Sequence, residues 1–441
     1  MCSMSNPASS PAQSAEMTDD VAVPRNNSTA QFPDGFLCNG PSGEISSIVT
    51  YELQSNKLSC PPVKNLSDHG DIAAEECSIE KQVVNVSSQD LNDVPDMVFD
   101  MAGSIEDLNM AYNNLVNIPE SLCQNLTNLT SLSVAGNELA ELPHEISALG
   151  QLVHLNVSSN KLTLLPSSIV SLMKLHTFDF STNEISRLPA EFGRLTALDK
   201  IVGYENRLEN LPDTFGLLRQ LTVLELNDNC LSCLPRNFGF LSSLKLLNLS
   251  ANKLSTVPES FSNLKAVEVL DLSDNLLDSL PPRFHSCQQL HKLFVAKNSL
   301  RSLPEWFSSM PELEVLVLND NQLSQGPFPE NFGDVSVKLK TFEIAGNYIC
   351  RLPESLGRLL HLERIHIGSL IDELERKDFQ NGNWIWKLPS NFGSLVALRH
   401  ANLNENQIDE LPSDFGNLVL LEWLDLGGCL LYLVSSLSVL V

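Results

Sequence analysis

The sequence predicts an α/β solenoid, a curved stack of about fifteen copies of a 23-residue unit with parallel strands along its concave face. Three observations predict it. The frame L-x-x-L-x-L-x-x-N-x-L recurs with its asparagine at Asn113, Asn137, Asn160, Asn183, Asn206, Asn229, Asn252, Asn275, Asn298 and Asn321. After a first interval of 24, every interval in that series is 23. Five residues after most of these asparagines stands Leu-Pro, as in Leu142-Pro143, Leu165-Pro166, Leu188-Pro189, Leu211-Pro212 and Leu234-Pro235. Self-similarity at one fixed period is the signature of a stacked repeat.

Each column of the frame has a physical reason. In L-x-L the residues alternate, so the leucines point into the coil and the x residues face out of a short strand. Stacked copies cover each other's apolar edges. The turn after the strand leaves backbone groups inside the coil without strand partners, and an unpaired buried group costs about 1–3 kcal/mol. An asparagine side chain carries both donors and an acceptor, so a column of asparagines is expected to form a ladder that satisfies those turns. Proline fixes φ and has no N–H, so the chain leaves the strand at Leu-Pro and begins its outer segment. Phe192-Gly193, Phe215-Gly216, Phe238-Gly239, Phe332-Gly333, Phe392-Gly393 and Phe415-Gly416 follow. The phenylalanines are expected to stack as a spine inside the convex side, each glycine sparing a turn that a β-carbon would obstruct. The unit is thus a leucine-rich repeat, and residues 81–441 are predicted to form one leucine-rich-repeat solenoid.

The array opens on a degenerate copy, Val84-x-Val86-x-x-Gln89-x-Leu91. After Asn321 the frame continues at Asn347, at Leu370 in place of asparagine, at Asn406 and at Cys429. The 26-residue step to Asn347 holds a small insertion around Gly326-Pro327-Phe328-Pro329. The 36-residue step from Leu370 to Asn406 is one repeat plus 13, and the added residues are placed near 371–387. That stretch contains Trp384 and Trp386, expected either to anchor a partner from a protruding loop or to fold back over the irregular coil. Residues 1–80 lack periodicity and are rich in Ser, Asn, Pro and acid, so they are expected to form a disordered leader. The last copy is followed by Leu430 to Val441 with no Leu-Pro and no polar cap. Either that apolar tail folds over the open end or the array is a truncated one.

The net charge is −26, from 54 acidic and 28 basic residues. It argues against nucleic acid and anionic membrane surfaces and favours a partner with a basic or neutral docking face. No stretch reaches the roughly 20 apolar residues of a membrane-spanning helix. The first 20 residues lack the basic and apolar segments of a signal peptide. Ten scattered cysteines favour a reducing compartment, and together these readings predict a cytoplasmic protein. Motifs of phosphate loops, metalloproteases, serine hydrolases, kinases and calcium loops are missing from the sequence, so no enzyme activity and no cofactor are expected. Cys230-Leu-Ser-Cys233 has no second pair to complete a zinc site, and both cysteines fall on variable positions. Glu343, His366 and His400, on three successive strands, are too few and too exposed in expectation to hold a metal.

Binding is expected on the outward strand positions. Four before the ladder asparagine stand Asp179, Val202, Glu225, Asn248, Asp271, Phe294 and Val317 in successive repeats. One before it stand Glu205, Asp228, Asp274, Asp320 and Glu405. Together with Tyr204, the residues Asp179, Val202, Glu225, Asp228, Asp271, Asp274, Phe294 and Val317 are the candidate partner-binding set. The acids are expected to steer a partner, and the apolar residues, which have no core duty in the frame, to anchor it.

The 23-residue copy with Leu-Pro and then Phe or Ile with Gly resembles the intracellular leucine-rich proteins of the Ras-pathway scaffold group. It is similar as well to the plant Ras-group-related proteins and to the Scribble/Erbin polarity proteins. The resemblance covers about residues 81 to 428. It implies a scaffold in intracellular signalling whose concave face docks a small GTPase and a phosphatase catalytic subunit. The sequence departs from it in two places: the leader has no basic-valine-x-phenylalanine motif for the phosphatase, and no PDZ domain follows the array. The expected function is a non-catalytic protein–protein interaction scaffold. The alternative is the recognition portion of a larger phosphatase or ligase.

Overall fold

A computed structural model describes residues 82–431 apart from 282, 325, 336–337 and 370–381. All of these lie in the compact unit Cys77–Val441. The expected leader and the tail after Leu431 lie outside the described residues.

Fifteen strands form a single sheet in strict sequence order, and every neighbouring pair is parallel. They are β1 (Gln82–Asn85), β2 (Ile105–Asn109), β3 (Ser131–Ser133), β4 (His154–Asn156), β5 (Thr177–Asp179), β6 (Lys200–Val202), β7 (Val223–Glu225) and β8 (Leu246–Asn248). The remaining strands are β9 (Val269–Asp271), β10 (Lys292–Phe294), β11 (Val315–Val317), β12 (Thr341–Glu343), β13 (Arg364–His366), β14 (His400–Asn402) and β15 (Trp423–Asp425). Opposite the sheet, most copies return through a 3-10 turn of three to five residues. Three instead carry short α-helices, α1 (Asp96–Asp100), α2 (Glu120–Asn125) and α3 (Phe332–Val335). In five of the described copies this segment begins two residues after the leucine of Leu-Pro, directly after a proline with fixed φ (Pro212, −67°), and in five others at the phenylalanine two residues later. The result is a leucine-rich-repeat solenoid, and no described helix is long and apolar enough to cross a membrane.

The ladder spans two coils at each rung. Asn183 Nδ2 donates to Phe180 O (3.1 Å) and Ser181 O (3.1 Å) of its own turn and to Val157 O (3.0 Å) of the coil before. Its Oδ1 accepts the Leu162 N–H of that preceding coil at 3.0 Å. Asn206, Asn229, Asn252 and Asn275 repeat the pattern, and all are buried.

The expected ladder position at Leu370 is corrected. Asn383 takes that rung: it donates to Ile344 O (2.8 Å) and Ile367 O (2.9 Å) and accepts from Ile349 N (3.0 Å). The 13 extra residues therefore fall in sequence between Ile367 and Asn383, where 370–381 lie outside the described residues, and Asn383-Trp-Ile-Trp-Lys-Leu-Pro389 is an ordinary copy of the frame. The cause is energetic: an apolar side chain cannot pair the buried turn groups, so the chain resumes register at the next asparagine able to do so.

The phenylalanine spine is continuous across five coils. Phe192, Phe215, Phe238 and Phe261 stack with centroids 6.1, 6.3 and 5.4 Å apart. Phe284 continues the row, and Trp306 meets it edge-on at 5.3 Å. At Gly193, Gly216, Gly239, Gly333 and Gly393 the glycine after phenylalanine answers to the neighbouring coil, not to an unusual φ. A β-carbon at Gly193 would stand 1.8 Å from Thr214 O, and one at Gly239 would stand 1.7 Å from Ser260 O. Inside β6's coil, Gly203 replaces the usual inward aliphatic residue because Phe180 of the preceding coil occupies the space, 2.3 Å from where a β-carbon would sit.

Candidate functional site

The strand register lines up the predicted column. Asp179 pairs with Val202, Val202 with Glu225, Glu225 with Asn248, Asn248 with Asp271, Asp271 with Phe294 and Phe294 with Val317. All seven stand on the outward side of one continuous sheet. Asp179, Glu225, Asp271, Phe294 and Tyr204 are half-buried, and Asp228, Asp274 and Glu205 are exposed along the edge. Two residues depart from expectation: Val202 and Val317 are buried, with 8% and 9% exposure. Longer side chains on the adjacent strands shade these short branched ones, so they are a floor to the face and not projecting anchors.

The acids of the central column have a second duty. Ser181 donates to Asp179 Oδ1 through its N–H (3.0 Å) and its hydroxyl (2.7 Å). Ser273 N–H donates to Asp271 Oδ1 at 2.8 Å. Asn156 and Asn248 accept the same backbone bond from Ser158 and Ser250. The column therefore selects Asp or Asn to close the turn after the strand, and only the negative charge is surplus to that need. Glu225 has no such bond. Burial, foremost, holds its carboxyl above the usual glutamate range; Lys200 opposes the rise and Asp179 adds to it. Burial likewise raises Asp271, against the bonds from Ser273.

The edge column has a backbone reason as well. Glu205, Asp228, Asp274, Asp320 and Glu405 hold φ of 51–53°. Gly136 and Gly346 occupy the same position elsewhere with φ of 64° and 63°. Aspartate tolerates this left-handed conformation better than most residues. Glutamate has no such preference, so propensity does not explain Glu205 and Glu405.

Sequence reasoning missed a lane of apolar residues on the same face. Val223, Leu246 and Val269 are directly paired across β7, β8 and β9 and half-buried. Lys200 and Lys292 close the lane at its two ends. Its signal was available two residues before each member of the central column.

Trp384 and Trp386 are not on a protruding loop. They flank the inward Ile385 at the edge where the chain leaves the ladder, 46% and 41% exposed. Trp384 meets Tyr348 edge-to-face at 5.8 Å, and the Arg351 guanidinium lies 4.8 Å above the Trp386 ring.

Other candidates dissolve into structure. His366 faces Asn402 across the sheet and contacts its Nδ2 at 3.1 Å, while His400 pairs with Arg364. Among the described residues no three His, Cys, Asp or Glu side chains are grouped to hold a metal. Cys230 and Cys233 are free thiols, and Cys233 Sγ lies 3.3 Å from Asn210 Oδ1. Burial pushes the Cys123 and Cys287 thiols up to about 12, far from a reactive thiolate.

Known proteins share this fold. A family model described as leucine rich repeat matches residues 205–254 and 235–277, and a second matches 151–172. A leucine-rich-repeat protein of Leptospira interrogans superposes with a TM-score of 0.70 at 29% identity, over 79% of this chain and 85% of that one. A TDR receptor superposes with a TM-score of 0.59 at 27% identity, over 80% of this chain and 65% of the receptor chain. A plant peptide hormone receptor in complex with RGF2 gives 0.59 at 26%, over 76% and 57%. This chain thus spans less than two thirds of either receptor structure. A search of curated proteins returns no relative.

Proposed function

We propose that the solenoid is a non-catalytic scaffold that binds other proteins on its concave face, centred on β5 to β11. One observation carries this reading. The inward positions of every coil are fixed by packing and the ladder, whereas the outward positions of β5 to β10 vary and gather carboxylates (Asp179, Glu225, Asp271) that form no ion pair among the described residues beside an apolar lane. Apolar surface ringed by charge is the composition of a docking site. The similar plant receptor, solved with its peptide hormone, supports the use of such a solenoid for a polypeptide ligand. Asp179, Glu225, Asp228, Asp271 and Asp274 steer the partner, and Tyr204 and Phe294 anchor it, over the floor of Val202 and Val317. The finer reading, a Ras-like small GTPase as partner in intracellular signalling, is supported by the resemblance of the repeat and by an acidic face suited to a basic one.

The test neutralises the acids without breaking the turns they close. Asp179→Asn and Asp271→Asn keep the bond to the following N–H, as Asn156 and Asn248 do, and Glu225→Gln removes the third charge. The full chain, this triple variant and Trp384→Ala are used as bait, and captured proteins are compared by quantitative mass spectrometry. A partner lost by the triple variant and kept by Trp384→Ala is the expected result. The reverse pattern moves the site to the aromatic edge and refutes the concave reading.

A further inference from the structure

The carboxylates of the central column occur on alternate strands: Asp179 on β5, Glu225 on β7 and Asp271 on β9. Parallel strands lie about 4.8 Å apart, so these charges repeat at roughly 9.6 Å across the face. Beside them runs the lane of Val223, Leu246 and Val269. A third feature lies between the two ends of this strip. Asn227, two residues after Glu225, is 9% exposed; its Nδ2 donates to Asp228 Oδ2 at 2.7 Å, and its Oδ1 has no partner. The two other described asparagines in the same column are satisfied. Asn319 Oδ1 accepts from Ala345 N at 2.8 Å, and Asn404 Oδ1 accepts from Ser369 N at 2.6 Å. Only at Asn227, among these three, does the acceptor lack a donor.

We propose that this strip receives an extended basic segment of a partner protein in the polyproline II conformation, with lysine or arginine at every third residue. The proposal rests on the concave-face reading above and adds the chemistry of the partner. A polyproline II chain advances about 3.1 Å per residue with three residues per turn, so residues i, i+3 and i+6 point the same way at roughly 9.3 Å intervals. That spacing matches the carboxylates. In a β-strand, residues i and i+3 point to opposite sides. In an α-helix, residues i and i+4 are only about 6 Å apart, and i and i+7 overshoot the row by about 1 Å per step. Each cation meets Asp179, Glu225 or Asp271 through the carboxylate oxygen not engaged in a turn. The apolar residues between cations cover Val223, Leu246 and Val269. Polyproline II makes no internal hydrogen bonds, so its backbone N–H groups are free, and one supplies the donor that Asn227 lacks after a small rotation of the amide. Lys292 on β10 lies beyond Asp271 and repels a basic chain that runs on past that end of the strip, whereas Lys200 on β6 flanks the segment where it crosses to Asp179.

The experiment uses the full chain and two fluorescent peptides of identical composition, read by anisotropy at low and physiological salt. One repeats arginine-proline-valine five times; the other gathers the arginines in a block. The periodic peptide is expected to bind about tenfold tighter, the scale of one charge-assisted hydrogen bond. That preference should vanish in Glu225→Gln with Asp271→Asn, and it should shrink in Asn227→Ala but not in Asn319→Ala. Melting by circular dichroism establishes that each variant is folded. Equal affinity for the two peptides, no binding of either, or a preference that survives neutralisation overturns the proposal. The concave reading itself fails separately, when the partner captured by the full chain is retained by the neutralised triple variant.

Discussion

At Asn229 one side chain serves four backbone groups: it accepts from Leu208 N and donates to Gly203 O, Leu226 O and Asn227 O. Asn229→Ala strands buried groups of two coils and should cost about 1–3 kcal/mol in a denaturant melt. The next residue, Cys230, contributes its main chain to the fold, so Cys230→Ala should cost little. Equal losses at the two positions would overturn the ladder assignment. Glu225 offers the opposite case, a side chain that works against folding. Its folded carboxyl titrates above the ordinary value of about 4.3, so between that value and the raised one the folded state holds more protons than the unfolded. Stability therefore falls as pH rises through that window and stays lower at neutral pH. Glu225→Gln should remove this slope and raise the melting temperature at pH 7, while weakening partner binding. A melting temperature unchanged by the substitution, or lowered by it, would contradict the burial assigned to this group.

The elements are too short to stand alone. Most strands have three residues and most outer turns three to five, so each is stable only as part of the stack. The Phe-Gly turns make this dependence testable. Gly193→Ala drives a β-carbon into the backbone of the following coil and should cost about 1–3 kcal/mol, the usual range for overpacking. Gly416 holds the same place in its copy but meets nothing within 4 Å of a β-carbon among the described residues, so Gly416→Ala should cost less than Gly193→Ala. Comparable losses at both glycines would mean that the turn itself, and not the next coil, requires glycine.

Across the whole molecule, coupling passes from coil to coil, and Asn383 is the rung that carries it past the insertion. Asn383→Ala should raise amide exchange in residues 384–431 more than in 82–340, because stability in a stack is a sum of neighbour terms. Uniform acceleration along the array would show that the rung is not a local coupling point. The charge of the concave face acts at the same scale. The neutralised triple variant should bind its partner with a slower association rate and a flatter dependence on salt, since steering is electrostatic.

The fold was legible in the sequence because a period of 23 leaves one solution, in which the frame leucines face inward and each ladder asparagine meets a turn. The fifteen strands, the ladder and the phenylalanine spine follow from local patterns repeated along the chain. The site was legible only in part. Alternation along a strand assigns Asp179, Glu225 and Asp271 to one side of the sheet, and the register aligns them in one column. Whether an outward residue is reachable depends on the neighbouring coils, and those shade Val202 and Val317. The rung at Asn383 was hidden for a related reason: counting 23 from Asn347 arrives at Leu370, and only pairing across coils reveals which residue closes the turn. The orphan acceptor of Asn227 is likewise a property of the assembled stack. Its identical counterparts at 319 and 404 find donors on a neighbouring coil, and no feature of the residue type foretells which one will not.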